Sequence, residues 1–152
     1  MCTDRSAARP ADSGMIGTPD VTLFCKALTM TKSDHQPKVL VVEDEALLLF
    51  SIADDLRDAG FDVLEATNAD QAIRLLDDNP EVRLMFTDID MPGTMDGLRL
   101  SAVVRDRWPP VRIIITSGKQ PPSPGKIPED GIFLPKPYTP ASVVAAMSAM
   151  LG

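Results

Sequence analysis

Five short apolar runs alternate with segments of helical period from residue 38 onward, and this alternation fixes the fold class. Val39-Leu40-Val41-Val42 is a β-branched run suited to a strand buried on both faces. Glu43-Asp44-Glu45 stops it. Ala46 to Ala59 then places Leu49, Ile52, Ala53 and Leu56 on one helical face, with Asp54, Asp55, Arg57 and Asp58 toward solvent. Gly60 suits the helix end. The second strand spans Phe61 to Ala66. Asn68 caps a helix whose Ala69, Ala72, Ile73 and Leu76 face inward, and Asn79-Pro80 ends it. The third strand is Val82 to Thr87, followed by an acidic loop broken by Pro92-Gly93. Gly97 to Arg107 is helical, with the inward face centred near Leu98, Ala102 and Val103. Val111 to Thr116 and Ile132 to Leu134 are the last strands. Thr139 caps a final helix with Pro140 at its first position and Val143, Val144, Met147, Met150 and Leu151 on its apolar face. Strand and helix repeated with short connections predict an α/β fold, a parallel sheet covered on both faces. One gap interrupts the repeat. Four prolines between Ser117 and Gly131 leave room for a loop with at most one helical turn, so the fourth helix is expected to be shortened or missing.

Composition narrows the function. The formal net charge is -7, against the basic surface expected of a nucleic-acid partner. The two cysteines, Cys2 and Cys25, form no disulfide framework and no zinc spacing, and His35 is the single histidine. No apolar run approaches the roughly 18 residues that span a bilayer, and the N-terminal stretch lacks a secretory apolar segment. A reducing cytoplasm is the expected compartment, with no membrane and no nucleic acid as partner. Residues 1–36 are rich in Ser, Thr, Asp, Ala, Gly and Pro and read as a disordered or weakly ordered extension before a domain spanning 38–152. Met30 stands just before the regular pattern, which suggests translation starting there. No further domain is expected after Gly152, so the domain would act alone.

Four strand ends carry reactive groups: Glu43 and Asp44 after the first, Asp88 after the third, Thr116 and Ser117 at the fourth, Lys136 after the fifth. In an open α/β sheet the carboxyl ends of the strands face the ligand crevice. Clustered carboxylates repel one another unless a cation joins them. Oxygen-only ligation with few protein ligands suits Mg²⁺. A carboxylate can act as a nucleophile toward a phosphoryl group, with Lys136 as a compact counter-charge and Thr116 as a hydroxyl donor. Each residue also has a plainer reading: Asp88 caps a turn, Glu43-Asp44-Glu45 is an acidic helix start, Thr116 ends a strand, Lys136 is a solvated charge. Their joint placement at four strand ends favours a shared site.

The stretches Val39-Leu40-Val41-Val42-Glu43-Asp44-Glu45, Thr87-Asp88-Ile89-Asp90-Met91-Pro92-Gly93-Thr94-Met95-Asp96-Gly97, Ile115-Thr116-Ser117-Gly118 and Phe133-Leu134-Pro135-Lys136-Pro137-Tyr138 resemble the receiver domain of two-component response regulators. The resemblance implies a flavodoxin-like, doubly wound, five-stranded sheet. It implies that Asp88 accepts phosphoryl from a histidine kinase or histidine phosphotransfer protein. It further implies that Asp44 and Asp88 bind Mg²⁺ through carboxylates, Asp90 through its backbone carbonyl and Glu43 through water. Thr116 and Phe133 would be the switch residues, Lys136 would pair with the phosphoryl group, and the Lys136-Pro137 bond would be cis. Such a chain is no enzyme beyond its own phosphorylation and slow dephosphorylation. It signals through protein contact or phosphorelay. Three departures stand out: a loop from Met91 to Gly97 one residue longer than the common form, an acidic Asp90, and the proline-rich segment. Two other readings compete. Asp88-Ile89-Asp90 is similar to the nucleophile motif of haloacid-dehalogenase phosphatases, although Pro92 departs from it. The chain could also be a receiver-shaped binding module that is never phosphorylated.

Overall fold

The computed structural model describes residues 36–152. The expectations for the N-terminal extension and for Met30 concern residues outside this range. Five strands, β1 (Lys38–Val42), β2 (Asp62–Ala66), β3 (Val82–Asp88), β4 (Arg112–Ser117) and β5 (Ile132–Pro135), form one sheet in the order β2-β1-β3-β4-β5. All four pairings are parallel. The helices are α1 (Ala46–Asp58), α2 (Ala69–Asp78), α3 (Gly97–Arg107) and α4 (Pro140–Leu151).

Strand period divides the core into two layers. Leu40, Val42, Met85, Ile113 and Ile115 face Ala72 and Leu76 of α2 and Leu100 and Val104 of α3. Val39, Val41, Leu84, Phe86 and Ile114 face Leu49, Ile52 and Leu56 of α1 and Val143 and Met147 of α4. Both faces are therefore covered, and the central strands read as unbroken apolar runs. The chain leaves β1 toward β2 on one side and leaves β3 toward β4 on the other. The loops after β1 and β3 diverge there and open a crevice at the carboxyl edge.

Local chemistry sets the helix ends. The Asn68 side chain accepts from the Gln71 N–H at 2.8 Å and starts α2. Thr139 and Ser142 form a reciprocal capping box at α4, with Pro140 at its first position. Gly60 takes φ 101 directly after α1, a conformation that a Cβ would disfavour. The Lys136-Pro137 peptide bond is cis, as expected.

Two expectations need correction. The strands are offset from the sequence reading by a residue at several ends: β2 starts at Asp62, β4 runs to Ser117 and β5 to Pro135. The inward face of α3 is Gly97, Leu100, Ser101 and Val104, while Ala102 is exposed and Leu98 and Val103 are half-buried. The cause lies at the helix start. Asp96 caps the Arg99 N–H at 2.9 Å, and Gly97 packs so closely on β3 that a Cβ there would strike the Asp88 carbonyl group. That contact fixes the rotation of the helix. Ser101 is then buried without cost to its hydroxyl, which donates to Leu98 O at 2.7 Å.

Between β4 and β5 no helix forms, as the prolines require. The segment is pinned at its far end. Arg105 of α3 donates to Asp130 Oδ1 at 2.8 Å, the Gly131 N–H donates to Pro128 O at 2.8 Å, and Ile127 packs on the α2–α3 layer.

Candidate functional site

The carboxyl edge of β1, β3, β4 and β5 brings the reactive residues together. Asp88 is the last residue of β3 and is 3% exposed; Glu43, directly after β1, is 2% exposed. Asp44 beside it is exposed. Carboxylate oxygens of Glu43, Asp44 and Asp88 lie within 4.8 Å of one another. Lys136 enters from the end of β5, with Nζ 3.1 Å from Asp88 Oδ2 and 3.5 Å from Glu43 Oε2. Its backbone N–H donates to Ser117 O at 2.9 Å, extending the β4–β5 pairing far enough to aim the side chain inward.

Thr116 is paired with Asp88 in the β3–β4 register and is fully buried. Its Oγ1 has no hydrogen-bond partner. A buried hydroxyl without a partner is costly, and this one lies on the strand residue paired with Asp88. Asp90 follows in the loop. Its N–H donates to Asp88 Oδ1 at 3.2 Å, while its carboxylate accepts from Ser117 Oγ at 2.8 Å and pairs with Lys119 Nζ at 3.2 Å. Phe133 stands apart from the carboxylates. It is half-buried, opposite Ile115, and packs with the α2–α3 layer.

Electrostatics follow from burial and these partners. Burial pushes Glu43 up to about 7, helped by the Asp88 charge and opposed by the Glu45 N–H and by Lys136. Burial alone would lower Lys136, but its hydrogen bond to Asp88 and the charges of Glu43 and Asp88 outweigh that, and its pKa is raised. Asp90 is lowered, first by the Ser117 hydroxyl and then by Lys119. Burial pushes Tyr138 up to about 12. The Tyr138 ring meets Phe86 edge-on at 5.5 Å, and its hydroxyl has no partner.

Three carboxylates, two of them almost fully buried, with one ammonium between them leave excess negative charge in a small volume. The donor set is all oxygen and partly open through Asp44, which fits Mg²⁺. The Asp90 side chain is outside this trio, engaged by Ser117 and Lys119. Lys119 and the role of Ser117 in holding Asp90 were missed from sequence. Ser117 follows Thr116 directly and was legible as a strand-end hydroxyl, but Lys119 lies in a proline-rich segment whose sequence names no partner.

An open parallel sheet with carboxylates at β1 and β3, a hydroxyl at β4 and a lysine at β5 is the architecture of a signalling receiver domain. Residues 39–148 match the family model described as "Response regulator receiver domain", and the chain belongs to that family of two-component signalling proteins. Over 84 residues the chain is 37% identical to a putative NtrX-like response regulator of Rickettsia felis; the match covers 55% of this chain and 18% of that relative, so the chain spans under a fifth of its length. A crystal structure of a response regulator receiver protein from Sinorhizobium medicae WSM419 superposes with TM-score 0.69 at 32% identity, covering 77% of this chain and 95% of that one. The receiver domain of the hybrid histidine kinase CckA gives TM-score 0.67 at 28% identity, covering 76% and 99%. The family match sets aside the haloacid-dehalogenase reading. Among the described residues no helix is long and apolar enough to cross a membrane.

Proposed function

We propose that the chain is a phosphoacceptor receiver. Asp88 takes a phosphoryl group from the phosphohistidine of a histidine kinase or histidine phosphotransfer protein, and the loaded domain engages another protein or passes the group on. In the transfer the P–N bond breaks, its electron pair returns to the imidazole, and a P–O bond forms to an Asp88 carboxylate oxygen. The observation that carries this reading is the Lys136 ammonium 3.1 Å from Asp88 beside a trio of carboxylate oxygens within 4.8 Å. Such a reaction needs positioning and charge neutralisation more than covalent machinery.

Asp44 and Asp88 would hold Mg²⁺ by their carboxylates, Asp90 by its backbone carbonyl and Glu43 through water. When bound, the ion neutralises charge on the transferring oxygens. Lys136 supplies the second positive charge. Thr116 Oγ1, buried without a partner, swings to donate to a phosphoryl oxygen, and Phe133 follows it as the switch aromatic. The chain's own chemistry is limited to gaining and slowly losing its phosphoryl group, in a cytoplasmic setting.

Acetyl phosphate with Mg²⁺ is expected to add one phosphoryl group, about 80 Da by intact mass, a modification of Asp88 rather than of Ser, Thr or Tyr. Asp88→Asn abolishes it. Undiminished labelling of that variant defeats the assignment. Absence of labelling in the wild type favours a receiver-shaped binding module.

A further inference from the structure

The Asp90 side chain and Lys119 are left over from that chemistry, yet the fold brings them together at the mouth of the site. Lys119 Nζ lies 3.2 Å from Asp90 Oδ1, and Ser117 Oγ donates to Asp90 Oδ2 at 2.8 Å. The Lys119 N–H donates back to Ser117 Oγ at 3.1 Å, closing a small network between the β3–α3 loop and the start of the proline-rich segment. Side-chain exposure rises outward along the network, from 5% at Asp88 to 37% at Asp90 and 80% at Lys119. The Asp90 N–H is itself 3.2 Å from Asp88 Oδ1. An ammonium is thus held at the solvent side of the site by the carboxylate two residues after Asp88.

We propose that Asp90 is a positioning residue that holds Lys119 in reserve at the mouth of the site, and that a phosphoryl group on Asp88 draws the Lys119 ammonium to itself. This rests on Asp88 being the phosphoacceptor. The physical ground is competition for one cation. A phosphoryl group on Asp88 carries close to two negative charges and three acceptor oxygens in place of the single carboxylate charge, against one charge on Asp90. Lys119 sits on a flexible four-carbon stem and its pair with Asp90 is largely solvated, so breaking it costs little. Ser117, which is buried, keeps Asp90 in place when Lys119 leaves. The exchange re-aims the first residues of the segment that joins β4 to β5.

The test is the loading rate from acetyl phosphate at saturating Mg²⁺, in which the P–O bond to acetate breaks, acetate leaves and the bond to Asp88 forms. Asp90→Asn keeps an acceptor for Ser117 and releases Lys119; loading is expected to rise about two- to fivefold, the size of an exposed ion pair. In the Lys119→Met background the gain from the same Asp90→Asn change is expected to shrink to less than half, and Lys119→Arg is expected to restore it. If Asp90→Asn accelerates loading equally with and without Lys119, the gain is loss of a repelling carboxylate and the proposal is overturned. A second readout avoids turnover. In protein with ¹³C-labelled lysine, the Lys119 side-chain signal, assigned by its loss in Lys119→Met, is expected to shift when Mg²⁺ and beryllofluoride occupy the site; an unmoved signal overturns the proposal. Labelling that survives Asp88→Asn, or that is absent from the wild type, overturns the phosphoacceptor reading and this one with it. Labelling that depends on Asp88 but shows additive Asp90 and Lys119 effects overturns this one alone.

Discussion

Tyr138 is the single tyrosine of the chain, so its ionisation is optically isolated. In the folded protein burial holds it up to about 12, against about 10 for a free phenol. The folded state therefore keeps the phenolic proton longer than the unfolded one. The stability tied to this group is whole below pH 10 and drains away as pH climbs toward 12. Absorbance near 295 nm is expected to titrate close to pH 12 in native protein and near pH 10 in urea; a native midpoint near 10 contradicts the buried environment. At this scale the sequence was informative where chemistry was dense. Glu43, Asp44, Asp88, Thr116 and Lys136 were legible because each stands where an apolar run stops. The Asp90–Ser117–Lys119 network was not, because its members lie on two loops and a strand end up to 29 residues apart, which periodicity does not relate.

Helix α3 shows how one residue governs an element. Gly97 lies against the carbonyl group of Asp88, so the helix start and the buried carboxylate residue share one contact. Gly97→Ala is expected to cost about 3 kcal/mol or more, at the upper end of overpacking, and to displace Asp88. Urea unfolding measures the first and loading from acetyl phosphate the second; native values for both would contradict the packing. Helix α4 supplies a milder case. Thr139→Ala removes the hydroxyl that accepts from Ser142 N at 3.1 Å and is expected to cost about 1 kcal/mol, with little change in loading. The face of α1 was read correctly because Leu49, Ile52, Ala53 and Leu56 repeat cleanly among charged residues. The face of α3 was misread because its apolar residues are spread around the helix and its rotation is set by Gly97 and Ser101, whose contribution is small size. Hydrophobicity carries no signal for that.

For the molecule as a whole, alternating strands and helices gave the sheet, its parallel sense and its two covered faces from residue 38 onward. The proline-rich gap was legible for the same reason, since prolines deny the backbone donors a helix needs. The tie between Arg105 and Asp130 was not legible, as nothing local pairs residues so far apart. The crowding of carboxylates also has a global consequence. Magnesium that binds the folded site and not the unfolded chain stabilises the fold by about 2.7 kcal/mol at a hundredfold excess over Kd. Chemical unfolding with and without EDTA is expected to show this gain, and Asp44→Asn is expected to lose most of it. An equal gain in that variant would place the ion elsewhere.

The amine that balances these acids directly follows β5, the last of the five strands in chain order. Every acid of the cluster is made at least 48 residues earlier, between Glu43 and Asp88. A nascent chain halted before residue 136 thus carries the anionic half of the centre with no cation from β5 to offset it. Synthesis itself sets the order: the acids exist first, and their counter-charge arrives only when β5 has been laid against β4.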